Sequence, residues 1–133
     1  MRMLVIVSCR LGGIMGYYST VLVKCDDTAY TRIKEVFDKY KNEYPTQINK
    51  DVENDLWVLY WENVNYWEDY YQEVYDEITN IVHENKGRLK MAVIGEDFSG
   101  FREMATDYGI DLGIKIVLGN VSDESECECL FSI

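Results

Sequence analysis

The stretch that most restricts how this chain can fold is Leu56-Trp57-Val58-Leu59-Tyr60-Trp61. An extended segment with no polar residue at alternate positions has no side that suits water, so a strand here needs cover on both faces. Helical patterns lie on either side of it. Asp26-Asp27-Thr28 offers side-chain acceptors to the free N–H groups of a helix start. Tyr30, Ile33, Phe37, Tyr40 and Tyr44 then line one face of a helix over residues 29–43, with Glu35 and Lys39 placed to pair outside it and Pro45 ending it. Downstream, Trp67, Tyr70, Tyr71, Val74, Ile78, Ile81 and Val82 form the inner stripe of a second helix over residues 66–85. Lys86-Gly87 stops it, with Gly87 suited to a left-handed cap.

Short apolar runs supply the other strands. Residues 3–9 read as a buried strand, Gly12, Gly13 and Gly16 as a loop, and residues 17–25 as a second strand that can form a hairpin with the first. Residues 46–55 read as a polar loop, 89–95 as a strand and 96–100 as a turn. Residues 101–108 fit a short helix or a strand equally, 113–119 a final strand, and 121–133 an acidic tail whose apolar end docks or frays. The expected fold is α+β with α/β-like alternation: a mixed four- to five-stranded sheet and two main helices in a single compact domain over residues 1–133. Within it, residues 1–14 are an N-terminal extension or the first strand, and residues 120–133 are the tail. A length of 133 residues with 47% hydrophobic side chains is enough for one core.

Charge narrows the classes of partner. The formal net charge is −11, which repels nucleic-acid phosphates and anionic membrane surfaces and favours a cationic partner. Residues 1–50 carry eight basic and five acidic side chains, whereas residues 51–133 carry five basic and nineteen acidic ones. Residues 51–85 hold ten acids and no Lys or Arg. A solvated face and a partner-binding face both fit that pattern. No apolar run approaches the roughly 20 residues of a membrane span, and the run after Met3 is too short for a secretion signal, so the expected compartment is the cytoplasm, where cysteines stay reduced.

Catalytic and metal-binding patterns are sparse. The single histidine, His83, falls near the outer face of the second helix, where a solvent-facing role fits better than that of a base for a Ser or Cys nucleophile. Cys127-x-Cys129 with Cys9 and Cys25 holds only one close pair, short of the two pairs of a zinc site, and Cys9 and Cys25 lie in apolar strand patterns. Glu96-Asp97 lacks the spaced acids of a calcium loop, and Gly12-Gly13-x-x-Gly16 lacks the full pattern of a phosphate-binding loop. No metal or cofactor is expected.

The outer carboxylates of the second helix, Glu68, Asp69, Glu73, Asp76 and Glu77, are the candidate partner-binding residues. Spaced along a helix, they can imitate a row of phosphates and occupy the Arg/Lys sites of a nucleic-acid-binding protein. Met15-Gly16-Tyr17-Tyr18-Ser19, then Leu56 to Trp61 with Trp67-Glu68-Asp69, then Ile94-Gly95-Glu96-Asp97 resemble small uncharacterised proteins of phages and mobile elements of Gram-positive bacteria. The resemblance covers residues 15–97. It implies an acidic accessory protein of anti-defence type, such as an anti-CRISPR or anti-restriction inhibitor, and brings no catalytic residues with it. The expected function is thus a non-enzymatic acidic interaction protein, phage-encoded, that binds a basic host protein such as a nuclease. Two alternatives stay open: a binder or small enzyme for a nucleotide-like ligand, with its pocket near Gly95 to Gly100, and a homo-oligomeric phage accessory protein whose Tyr and Trp residues serve interfaces.

Overall fold

A computed structural model describes residues 4–10, 18–95, 102–118 and 126–132. The elements run β1 (Leu4–Arg10), β2 (Tyr18–Cys25), α1 (Asp27–Lys39), a 3-10 turn (Lys41–Glu43), β3 (Gln47–Asp51), β4 (Leu56–Asn65), α2 (Trp67–Tyr70), α3 (Gln72–Glu84), β5 (Leu89–Gly95), β6 (Arg102–Ala105), β7 (Ile114–Leu118) and β8 (Glu126–Ser132). Five strands form one sheet in the order β3-β4-β2-β5-β6, and three form another in the order β1-β8-β7. No helix among the described residues is long and apolar enough to cross a membrane.

The apolar run in β4 receives the cover it requires. Leu59 and Trp61 point to one face of the larger sheet with Val21, Val23, Cys25, Leu89, Met91 and Val93, where Ala29, Ile33 and Phe37 of α1 and Val74, Ile78 and Ile81 of α3 close over them. Leu56, Val58 and Tyr60 point to the opposite face with Leu22, Ala92 and Ile94, and Ile110 and Leu112 cover that side. Phe37 and Trp61 are essentially inaccessible to water, and truncating either to alanine removes about 3–5 kcal/mol.

Local chemistry sets the start of α1. Asp26 accepts from the Ala29 N–H at 2.9 Å, and its other carboxylate oxygen accepts from the Arg88 N–H at 2.8 Å. One side chain therefore caps the helix and ties it to the entry of β5. Gly87 lies against this junction with φ +104°, and a Cβ there would come within 3.0 Å of the Asp26 carboxylate. The left-handed helix cap expected at Gly87 is in fact Asn85, at φ 53°; Gly87 is needed for the close approach instead.

The α+β class, the five-stranded sheet and the two main helices are as the sequence pattern predicts. Several details differ. Every described strand pairing is antiparallel, where alternation of strands and helices suggested a mixed sheet. The reason is β3, which occupies the expected polar loop. By adding a hairpin before β4, it reverses the direction in which β4 meets β2. It reads as polar because it is an edge strand, with only Ile48 of its side chains joining the core. The hairpin expected between the first two strands does not form, because both sides of β2 are taken by β4 and β5; β1 pairs with β8. Residues 102–105 are a strand. On α1 the ion pair that forms is Lys34–Asp38 rather than Glu35–Lys39. Glu126–Ser132 of the tail pairs with both β1 and β7.

Candidate interaction surface

The second helix is not continuous. It breaks at Tyr71, which has φ −116° and ψ 34°. In an unbroken helix the Val74 N–H would donate to the Tyr70 carbonyl. Here it donates to Glu43 Oε1 at 2.9 Å, and the Glu73 N–H also bonds the same carboxylate. Glu43 is 3% exposed and arrives from the 3-10 turn after α1, so a tertiary contact caps α3 in place of a local one. Its backbone carbonyl also accepts from Trp61 Nε1 at 3.0 Å. Burial pushes the Glu43 carboxyl above its ordinary range, against the pull of the two N–H groups, and the nearby Glu73 and Asp76 charges push it the same way. Nothing local marks Glu43 in the sequence, because its partner lies 31 positions away.

The break also changes which residues face water. Tyr70 was expected on the inner stripe; it stands 64% exposed, because the one-turn α2 ends there and α3 starts on a new line. Tyr66 is 53% exposed, with its ring centroid 6.1 Å from that of Tyr70 and the planes inclined by 50°. The chain enters α2 through Tyr66 at φ 52°. That left-handed conformation costs a bulky L-residue about 1–2 kcal/mol relative to glycine.

The five candidate carboxylates separate into two groups. Glu68 is bound by Arg102, and Glu77 accepts from Arg32 Nε at 2.7 Å. Arg32 also reaches Glu84 at 2.5 Å, so it joins α1 to α3 at two points. Asp69, Glu73 and Asp76 are exposed, and among the described residues no cationic side chain lies within 4.0 Å of them. Several bases are engaged elsewhere: Lys50 with Asp27 and Asp55, Lys24 with Asp51, Arg88 with Asp107. Tyr66 and Tyr70 flank Asp69 at the one-turn α2, and Glu73 and Asp76 follow in the first two turns of α3, so exposed rings and carboxylates lie close together in the chain on either side of the break.

The other candidate chemistry is not brought together. His83 is exposed. Cys25 is fully buried under α1, and burial raises its thiol far above the ordinary range, so it is an inert core group. The side chains of Cys9, Cys127 and Cys129, the turn at Glu96-Asp97 and the glycines at 12, 13 and 16 lie outside the described residues. Gly95 ends β5, but most of the Gly95 to Gly100 segment lies outside them too. Among the described residues, no group of three or more His, Cys, Asp and Glu side chains is placed to hold a metal ion. No family model matches the chain, and no curated protein or solved structure matches it either.

Proposed function

We propose that the chain is a non-enzymatic interaction protein that binds a basic surface on another protein through Asp69, Glu73 and Asp76. The observation that carries this reading is the contrast along α2 and α3: Glu68 and Glu77 are neutralised within the fold, while these three exposed carboxylates have no cation beside them among the described residues. The net charge of −11 adds a long-range attraction for cationic partners. A basic partner would replace solvent around the carboxylates with charge-assisted hydrogen bonds, and a nucleic-acid-binding groove, lined with arginines and lysines, is a surface of that kind. The resemblance to phage and mobile-element proteins favours a host defence nuclease as that partner and an inhibitor of anti-defence type as the role.

The test is capture of nucleic-acid-binding proteins from a bacterial lysate on the immobilised chain. It is run at low and high salt, with and without excess duplex DNA, beside the D69K/E73K/D76K variant. Capture that is lost at high salt, displaced by DNA and absent from the variant supports the reading. Capture that the correctly folded variant retains in full refutes it, because the carboxylates would then carry none of the binding.

A further inference from the structure

Tyr66 and Tyr70 are an unusual investment for a fold. Together they leave two aromatic rings more than half exposed and 6.1 Å apart on the helical layer. Tyr18, 38% exposed, lies at the end of β2 opposite Asn65, the residue before Tyr66. Tyr66 also holds a left-handed backbone that glycine adopts more cheaply, so folding alone gives no reason for a tyrosine there. The residue after Tyr66, the buried Trp67, leaves its Nε1 with no hydrogen-bond acceptor among the described residues.

The chemistry beside the rings selects an occupant. Asp69 follows Tyr66 by three positions in the turn of α2, Glu73 lies just past the break at Tyr71, and neither has a cation within 4.0 Å among the described residues. A guanidinium is planar and weakly hydrated; it can lie on an aromatic ring and at the same time donate two N–H groups to a carboxylate. A lysine ammonium is a compact, strongly hydrated charge that gains from the carboxylate and little from the ring. Rings alone would suit any apolar partner, and carboxylates alone would suit either cation. We infer that this surface recognises arginine in preference to lysine, and that its partner presents exposed arginine side chains to Tyr66 and Tyr70. The inference rests on the proposed role of the carboxylate face and adds which cation that face reads.

The whole chain is titrated at low salt with a blocked peptide of alternating arginine and glycine, and with the same peptide carrying lysine. Binding is followed by calorimetry. The arginine peptide is expected to bind about five- to thirtyfold more tightly, the range two exposed cation–π contacts supply. Y66A/Y70A should bring the two peptides within about twofold of each other and leave the lysine peptide unchanged, while Y66F/Y70F should keep the preference, since the ring face is retained. Circular dichroism checks that each variant is folded. Equal affinity of the wild-type chain for both peptides overturns the arginine preference and leaves the carboxylate reading standing. A preference that survives in Y66A/Y70A overturns the inference as well, and failure of both peptides to bind overturns the two readings together.

Discussion

Removing the Glu43 carboxylate should unfasten the helix that carries the acidic face. Oε1 takes the Val74 N–H at 2.9 Å, the same carboxylate takes the Glu73 N–H, and the residue is 3% exposed. Glu43→Ala leaves both donors without a protein acceptor. A hydrogen bond to a charged group contributes about 1.5–3 kcal/mol, and a stranded buried donor costs about 1–3 kcal/mol. Water reaches the outer side of the helix start, so the combined loss should be about 2–4 kcal/mol. Glu43→Gln keeps an acceptor oxygen and removes a buried charge, so at neutral pH it should stay within about 1 kcal/mol of the wild type. The two proteins should then differ in pH dependence. Because burial raises the Glu43 pKa, the folded chain holds this proton more tightly than the unfolded chain, whose glutamates titrate near ~4.3. Stability from this group is therefore greatest at low pH and falls as pH rises through the raised pKa. Gln has no such loss, so its stability relative to the wild type should improve between about pH 4 and pH 7. Urea unfolding followed by tryptophan fluorescence over that range measures both effects. A Glu43→Ala cost below about 1 kcal/mol, or a Gln-to-wild-type difference that does not change with pH, refutes the capping argument.

Three further outcomes are expected. Tyr66→Gly should raise stability by up to about 1 kcal/mol in the same assay, because it relieves the left-handed strain at φ 52° and removes a ring that lies in water; a clear loss would show that the ring supports the fold. Below the ordinary carboxylate range the fold should weaken as pH falls. Asp27 is held low by Trp57 Nε1 and Lys50, Asp51 by Asn54 and Lys24, Asp107 by the Gly109 N–H and Arg88, and Glu84 by Arg32. Each adds stability above its unfolded pKa that disappears as pH drops through its folded one, and Asp51→Asn should flatten part of that acid limb in unfolding curves. Mass spectrometry after brief treatment with a thiol reagent should find Cys25 unmodified in the native chain and modified in denaturant; rapid native labelling would contradict its burial.

What the sequence disclosed depended on whether the deciding interaction was local. The run from Leu56 to Trp61 announces a strand with two buried faces, and both faces are buried. Asp26 announces a helix start because its acceptor serves the next turn, at Ala29. By contrast β3 is polar, as an edge strand can afford to be, and carries little periodic signal. The break at Tyr71 depends on Glu43, which no local pattern connects to Val74. The candidate surface shows the same division. Composition marked the acids of residues 51–85, but only the folded arrangement separates Glu68 and Glu77, tied to arginines, from Asp69, Glu73 and Asp76. Spacing placed Tyr70 inside, since it assumed an unbroken helix.

The position of β2 has a consequence for synthesis on the ribosome. It is the central strand of the larger sheet and comes before all four of its companions in the chain. Its neighbour β5 begins at Leu89, 64 positions after Cys25 ends β2. At ~5–20 residues per second, roughly 3–13 s pass before that partner has been made. During that interval Tyr18–Cys25, with Lys24 as its only charge and no proline, keeps at least one edge unpaired, since only β4 of its two neighbours is made before β5. A nascent chain of this design is most exposed to wrong pairing before its last third is made, and the helices, although they form quickly, cannot shelter the strand until β4 gives them a surface to pack on.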